Sequence, residues 1–134
     1  MPIFLTDIVN YRYFAEKIGS GELPYLGFLY EYPPLSLLPV VATFKVAQLF
    51  SPTSFKIYRL IFMLIMLLFD FLLYKKVKEK TELVFSYIIL SSLFLPFSLE
   101  RLDLIMVFCM VSGIQCMDKG EYKRAVTWLS VGGV

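Results

Sequence analysis

An all-helical, polytopic transmembrane bundle is the class this sequence predicts, and three observations carry that expectation. Hydrophobic residues make up 58% of the chain and charged residues 18%, with a mean hydropathy of +0.71; soluble domains hold roughly 45–50% apolar and about 25% charged residues. Apolar stretches approach the ~20 residues that cross a bilayer, and short charged turns separate them. The lysines gather in two of those turns, as topology signals do, so the net charge of +2 points to a lipid bilayer and not to nucleic acid as a partner.

The residue inventory also limits the chemistry. The sequence holds no histidine, which excludes a Ser-His-Asp triad, a histidine base or a histidine-ligated zinc built from these residues. Cys109 and Cys116 have neither metal-ligand spacing nor a disulfide framework, and read as lipid-facing or packing residues. Any chemistry must then come from carboxylates, Tyr, Lys or Arg.

Taken in order, Met1 to Thr6 is too short for a signal peptide or a span. Asp7 to Ile18 has helical periodicity, with Ile8, Tyr11, Ala15 and Ile18 on one stripe and Gly19 and Gly21 as stop signals. Such a short amphipathic helix suits the membrane interface. Paired prolines in Glu31-Tyr32-Pro33-Pro34 suppress helix until residue 35. Leu35 to Phe50 is helical and apolar apart from Lys45, but at ~1.5 Å per residue it covers about 24 Å against a ~30 Å hydrocarbon core. It can span or lie at the surface. Ile57 to Tyr74 is a strong span, Leu83 to Leu99 a second with no charge, and Leu104 to Met117 a third that needs its flanks or a thinned bilayer. A further apolar run begins at Ala125. The expected organisation is therefore an external loop over 1–56, with juxtamembrane helices near 7–19 and 35–50, followed by transmembrane helices near 57–74, 83–99, 102–117 and 124–134, the last truncated.

Loop charges orient these helices. Lys75, Lys76, Lys78 and Lys80 follow the first span, Lys119, Lys123 and Arg124 follow the third, and Arg101 alone lies between the second and third. By the positive-inside tendency both clusters are cytoplasmic and the turn 98–103 is external. If 35–50 does not cross, Asp7 and Asp103 share the external face; if it crosses, they lie on opposite faces.

The order of motifs resembles a known superfamily. An Asp opens a Tyr-rich helix, then come Gly-x-x-Pro-Tyr (Gly21 to Tyr25), Glu-Tyr-Pro-Pro-Leu (Glu31 to Leu35), Arg59 at a helix start and Arg-Leu-Asp (Arg101 to Asp103). Together they resemble the GT-C superfamily of multi-pass membrane glycosyltransferases, closest to the family 87 mannosyltransferase type and related to protein O-mannosyltransferases and aminoarabinose transferases. The resemblance implies a first span before a long external loop whose early Asp is catalytic, short helices along the membrane, and a polyprenyl-phosphate-linked sugar as donor. Asp7 is then implied as general base or acceptor-orienting acid and Asp103 as a second acid. The chain lacks the span expected before Asp7 and ends as another is under way, so it reads as truncated at both ends.

Glycosyl transfer to a hydroxyl requires removal of the acceptor proton, which an external carboxylate can perform. At a helix start Asp7 stays ionised; a capping role is its plain alternative. Asp103 opens an apolar helix and has the same alternative. A lipid phosphate leaving group calls for a cation at the membrane surface, and Lys56, Arg59 and Arg101 are the candidates, each equally able to snorkel. Arg59 is preferred, because an unpaired intramembrane Arg costs at least ~2.5 kcal/mol. Asp70, at the opposite end of its span, is expected to pair with Lys75 or face the interface. Glu31, Tyr11 and Tyr32 are candidates for acceptor or loop contacts; Tyr11, Tyr13, Tyr25, Tyr30 and Tyr32 cluster in the external region, where they could stack on sugar, but an aromatic belt at the lipid interface is the favoured reading for most of them. No cofactor is expected: Asp7, Asp103 and Glu31 are too few ligands to favour a divalent metal. The expectation is a hexosyltransferase, with mannose as a candidate sugar, acting from a polyprenyl-phosphate sugar donor on a hydroxyl of a glycan, lipid or protein. It would be integral to the plasma membrane or endoplasmic reticulum, with its site on the non-cytoplasmic face. A multi-pass transporter and a non-enzymatic assembly subunit are the rival readings.

Overall fold

A computed structural model describes residues 7–32, 34–51, 53–78 and 81–132, the side chains of 81–83 and 95–97 excepted. Residues 1–6, Pro33, Pro52, Lys80 and 133–134, which enter the expectations above, lie outside the described set. Among the described residues the fold is all-helical. It comprises α1 (Asp7–Gly19), a 3₁₀ turn (Pro34–Ser36), α2 (Leu37–Phe50), α3 (Phe55–Lys78), α4 (Thr81–Ser98), α5 (Asp103–Asp118) and α6 (Tyr122–Gly132). Contacts divide the chain into two compact units, Met1–Met63 and Leu64–Val134, and the division falls inside α3.

In the first unit α1 begins with Asp7 and carries Lys17 in its last turn, the charge order that the helix dipole favours. It ends in a Schellman turn: the Gly21 N–H donates to Ile18 O and the Glu22 N–H to Lys17 O, each at 3.0 Å. Gly21 supplies the left-handed φ of 92° that this turn requires. Helix α1 buries Ile8, Tyr11 and Ala15, and α2 buries Val40, Thr43, Phe44 and Ala47. Both sets follow helical spacing, and the two helices pack on each other. The beginning of α3 belongs to this unit because Tyr58 and Phe62 are buried in it: Phe62 stacks on Tyr11 at 5.4 Å and Tyr58 meets Phe44 at 6.5 Å between centroids.

In the second unit α5 and α6 form the closest helix pair. A second Schellman turn joins them, with the Gly120 N–H donating to Met117 O at 2.9 Å and the Glu121 N–H to Cys116 O at 2.8 Å; Gly120 has φ 73°. Small side chains let the backbones approach. Cys109, Ser112 and Gly113 are buried on α5, and Ala125 and Gly132 on α6, the small-residue pattern of tightly packed apolar helices.

Helix α3 sets the character of the chain. Its 24 residues carry a stretch of mean hydropathy 2.1, of which 22% is buried. At ~1.5 Å per residue it reaches about 36 Å, enough for a ~30 Å hydrocarbon core. It is the one helix among the described residues that is long and apolar enough to cross a membrane. Three more crossings are expected from the sequence, and the corresponding helices fall short of that measure. The described apolar stretch of α4 is Val84–Phe94, α5 has 16 residues and α6 has 11. Helix α2, at 14 residues, covers about 21 Å.

The helix pair gives a direct test. A Cβ on Gly113 would stand 2.8 Å from both Cγ and Cδ2 of Leu129, whereas one on Gly19 meets only Phe44 at an ordinary 3.4 Å. Gly113→Ala is expected to destabilise the protein by about 1–3 kcal/mol through overpacking, and Gly19→Ala by less than about 0.5 kcal/mol. Thermal unfolding followed by circular dichroism in detergent checks the contrast; equal melting of the two variants contradicts the packing described.

Candidate functional site

The expected site residues fall in both units. In the first, Asp7 is half-buried in the first turn of α1, and Tyr11 follows one helical turn later on the same face. Tyr11 is 1% exposed, its ring set edge-on to Tyr32 at 5.3 Å. Tyr32 in turn packs on Tyr30 at 5.5 Å, and Tyr30 meets Phe14 at 5.0 Å and Tyr25 at 6.1 Å. The tyrosines expected to form a lipid-interface belt or a sugar platform thus include two, Tyr11 and Tyr30, that are core residues. Ring pairs of this kind contribute about 0.5–1.5 kcal/mol beyond their buried area. Glu31 is exposed beside this cluster, and Lys56 and Arg59 are exposed near the start of α3.

The loop 20–36 is shaped by polar contacts with the same rings. The Tyr25 hydroxyl donates to the Tyr32 carbonyl at 2.8 Å, and Tyr25 itself holds a left-handed φ of 65°, a conformation of a bulky residue that is maintained at a cost. The Tyr30 and Ser36 hydroxyls are 2.6 Å apart. Burial pushes the Tyr30 phenol up to about 12, so it serves as a neutral hydrogen-bonding group at neutral pH. Arg12, which sequence reading does not single out, straps α1 to the turn before α3: it pairs with Glu16 at 2.7 Å, donates to the Thr53 carbonyl at 3.0 Å and lies over the Phe55 ring at 5.8 Å. Tyr58 is buried with its hydroxyl lacking a hydrogen-bond partner among the described residues.

In the second unit Asp103 opens α5, and Arg101 pairs with it at 3.1 Å with both side chains more than half exposed. Exposed pairs contribute about 0–1 kcal/mol, so the geometry leaves Asp103 accessible and not locked in a cap. Glu100, the other acid at this turn, is buried. Asp7 belongs to one unit and Asp103 to the other.

Asp70 behaves differently from the sequence expectation. It bonds to α4 and not to Lys75: the Tyr87 hydroxyl donates to Asp70 Oδ1 at 2.5 Å and the Ser91 hydroxyl to the same oxygen at 2.9 Å. Lys75 lies instead over the Phe71 ring at 4.8 Å. The carboxylate sits eight residues before the end of α3, about 12 Å along the axis, where two hydroxyls one turn apart on α4 reach it. It lines an apolar groove of about 590 Å³ with Leu64, Leu67, Tyr74 and Ile88. The signal in the sequence is the 87/91 spacing of Tyr and Ser facing a lone acid in an apolar run; nothing local says that they meet.

Among the described residues no group of three or more Cys, Asp or Glu side chains is arranged to hold a metal ion. Comparison of the chain with protein-family models, with curated proteins and with solved structures finds no match.

The Asp70 clamp predicts a measurable coupling. A double-mutant cycle of Asp70→Asn and Tyr87→Phe, read by unfolding in detergent, is expected to give an interaction energy of about 1 kcal/mol, within the range for hydrogen bonds between apolar helices. A coupling below about 0.3 kcal/mol contradicts the contact.

Proposed function

We propose that the protein is an integral membrane glycosyltransferase of the GT-C type, or a piece of one, that moves a hexose from a polyprenyl-phosphate donor to a hydroxyl acceptor on the non-cytoplasmic face. The observation that carries the reading is the state of α2. At 14 residues it is too short to cross unaided, and its buried stripe is spent on α1. An α1–α2 layer of this kind suits a juxtamembrane external loop, and α3 is the span that follows it. The order of Asp7, Glu31, Arg59 and Arg101–Asp103 along the helices supports the same reading.

In this proposal Asp7 takes the acceptor proton as the hydroxyl oxygen attacks the anomeric carbon, and the phosphate leaves with the electrons of the bond it loses. Arg59, with Lys56 beside it, offers positive charge to that phosphate at the membrane surface. Asp103, exposed and paired with Arg101, is the second candidate acid. Tyr11, being buried, shapes the wall near Asp7 from within, and Tyr32, half-buried, is the one of the two that can reach the acceptor.

A transporter is the second reading, and the Asp70 groove is what favours it: a carboxylate inside an apolar helix marks a transport path by default. Both Asp70 contacts run to α4 hydroxyls, however, which describes a helix clamp at least as well.

Asp7→Asn removes the base while keeping the size and polarity of the side chain. Transfer of labelled mannose from polyprenyl-phosphate-mannose in membranes is expected to fall by at least ~100-fold, the usual contribution of a general base, with the protein inserted at normal levels. Undiminished transfer removes the catalytic role of Asp7.

A further inference from the structure

The groove at Asp70 offers more than a helix clamp requires. It lies within the second unit, between α3 and α4, and its volume of about 590 Å³ falls in the ~300–1,000 Å³ range of small-molecule sites. The Tyr87 and Ser91 hydroxyls both bond to Oδ1 of Asp70. Among the described residues Oδ2 accepts no hydrogen bond, and Asp70 has no ion pair. Lys75, the next cation along α3, is held over the Phe71 ring, and no described residue that lines the groove is basic. The groove thus carries a carboxylate with one oxygen unengaged, in apolar surroundings where an unpaired charge is costly.

The walls discriminate among the cations that could answer it. A hard metal ion takes six or more oxygen ligands. The lining supplies Asp70 and four hydroxyls, those of Tyr74, Tyr87, Ser91 and Ser92, and two of the four are committed to Asp70 itself. An organic ammonium needs much less: one acceptor oxygen for its N–H and apolar surface for its carbon substituents. Leu64, Leu67, Leu68 and Ile88 are lining residues, each 45–55% exposed. The Tyr74 and Tyr87 rings, 6.3 Å apart between centroids, line the same groove, and aromatic faces attract cations.

Depth argues against the amine of a membrane lipid. Asp70 precedes Lys75, the first of the lysines in the last turn of α3, by about 7.5 Å along the axis. The phosphate of an ethanolamine lipid suits that lysine collar; carrying its head group to Asp70 would draw the phosphate into the apolar stretch.

We propose that the Asp70 groove binds a lipophilic protonated amine without a phosphate, its N–H on Asp70 Oδ2 and its apolar body along Leu64, Leu67, Leu68 and Ile88. The site goes beyond glycosyl transfer and uses neither Asp7 nor Asp103.

Three ligands that share a body and differ in head group test the assignment: 4-phenylbutylamine, 4-phenylbutan-1-ol and 4-phenylbutyrate. Each is titrated calorimetrically into the protein in neutral detergent, with uptake by empty micelles subtracted. Saturable binding of the amine, at least about tenfold tighter than the alcohol and with no binding of the carboxylate, is the expected result, since a charge-assisted hydrogen bond is at stake. Asp70→Asn should lower the affinity for the amine to that of the alcohol and leave the alcohol within about twofold. Asp70→Glu, which keeps the charge, should stay closer to wild type than Asp70→Asn does. Ile88→Trp fills the groove while leaving the carboxylate in place, and should weaken amine and alcohol alike. Equal binding of the three head groups by the wild-type protein overturns the proposal, and this comparison stands even where a variant fails to fold. A preference for the amine that survives Asp70→Asn overturns it too, as does amine binding untouched by Ile88→Trp or displacement of the amine by equimolar dihexanoyl phosphatidylethanolamine.

Discussion

The uncovered apolar surface of α3 is the constraint on which the rest of the molecule depends. Leu60, Leu64, Leu67, Leu68 and Phe71 are each 45–58% exposed, although they lie on one continuous 24-residue helix. Full burial of such a side chain is favourable by about 1.5–3 kcal/mol. Five of them left half in water would forfeit roughly 5 kcal/mol, which equals the whole stability of many domains. Among the described residues this surface stays about half exposed, and a bilayer would cover it at no conformational cost to the helix. The charges fit that solvent: Lys56 and Arg59 stand in the first turns of α3 and Lys75, Lys76 and Lys78 in its last, where long side chains reach the interface.

Each unit answers a different packing problem at the ends of that helix. The first wraps α1, α2 and a bent loop around an aromatic knot of Tyr11, Tyr30, Tyr58 and Phe62, all almost fully buried. Burying Tyr11 fixes the rotation of α1 and thereby the direction of Asp7 one turn earlier, while Arg12 ties the same helix to the turn that opens α3. The second unit relies on close backbone approach between α5 and α6, for which Gly113 and Gly132 leave the space. Its polar contacts between helices, Asp70 with Tyr87 and Ser91 and Lys76 with Gln115, tether α3 to α4 and to α5.

The helical class was legible in the sequence because its signals are local. Gly21 and Gly120 close helices through left-handed turns, Pro34 blocks helix before α2, and the Ile8, Tyr11, Ala15 stripe has the spacing of a single buried face. Partner choice is not local, and there sequence reading went astray. Asp70 is expected from the sequence to pair with Lys75 or to face the interface, whereas its bonding groups come from α4. Tyr11 and Tyr30 looked like interfacial aromatics because composition cannot tell a ring that packs on other rings from one that faces lipid. Arg12 carries a local signal only for its i,i+4 pair with Glu16; its bond to a backbone carbonyl 41 residues away leaves none. Of the expected crossings only α3 meets both length and composition among the described residues, because uncharged runs such as Leu104 to Met117 satisfy composition before they satisfy length.

Which side of the membrane α2 occupies decides whether the proposed catalytic residues share a face. Single cysteines at Asn10, Thr53 and Lys78, each in a Cys109→Ala/Cys116→Ala background, can be reacted with a membrane-impermeant maleimide in oriented vesicles. Labelling of the Asn10 and Thr53 positions from the same, outer side, with the Lys78 position reached only after permeabilisation, is the expected outcome. Finding the Asn10 and Thr53 positions on opposite sides would mean that α2 crosses, and no single sugar could then meet both Asp7 and Asp103.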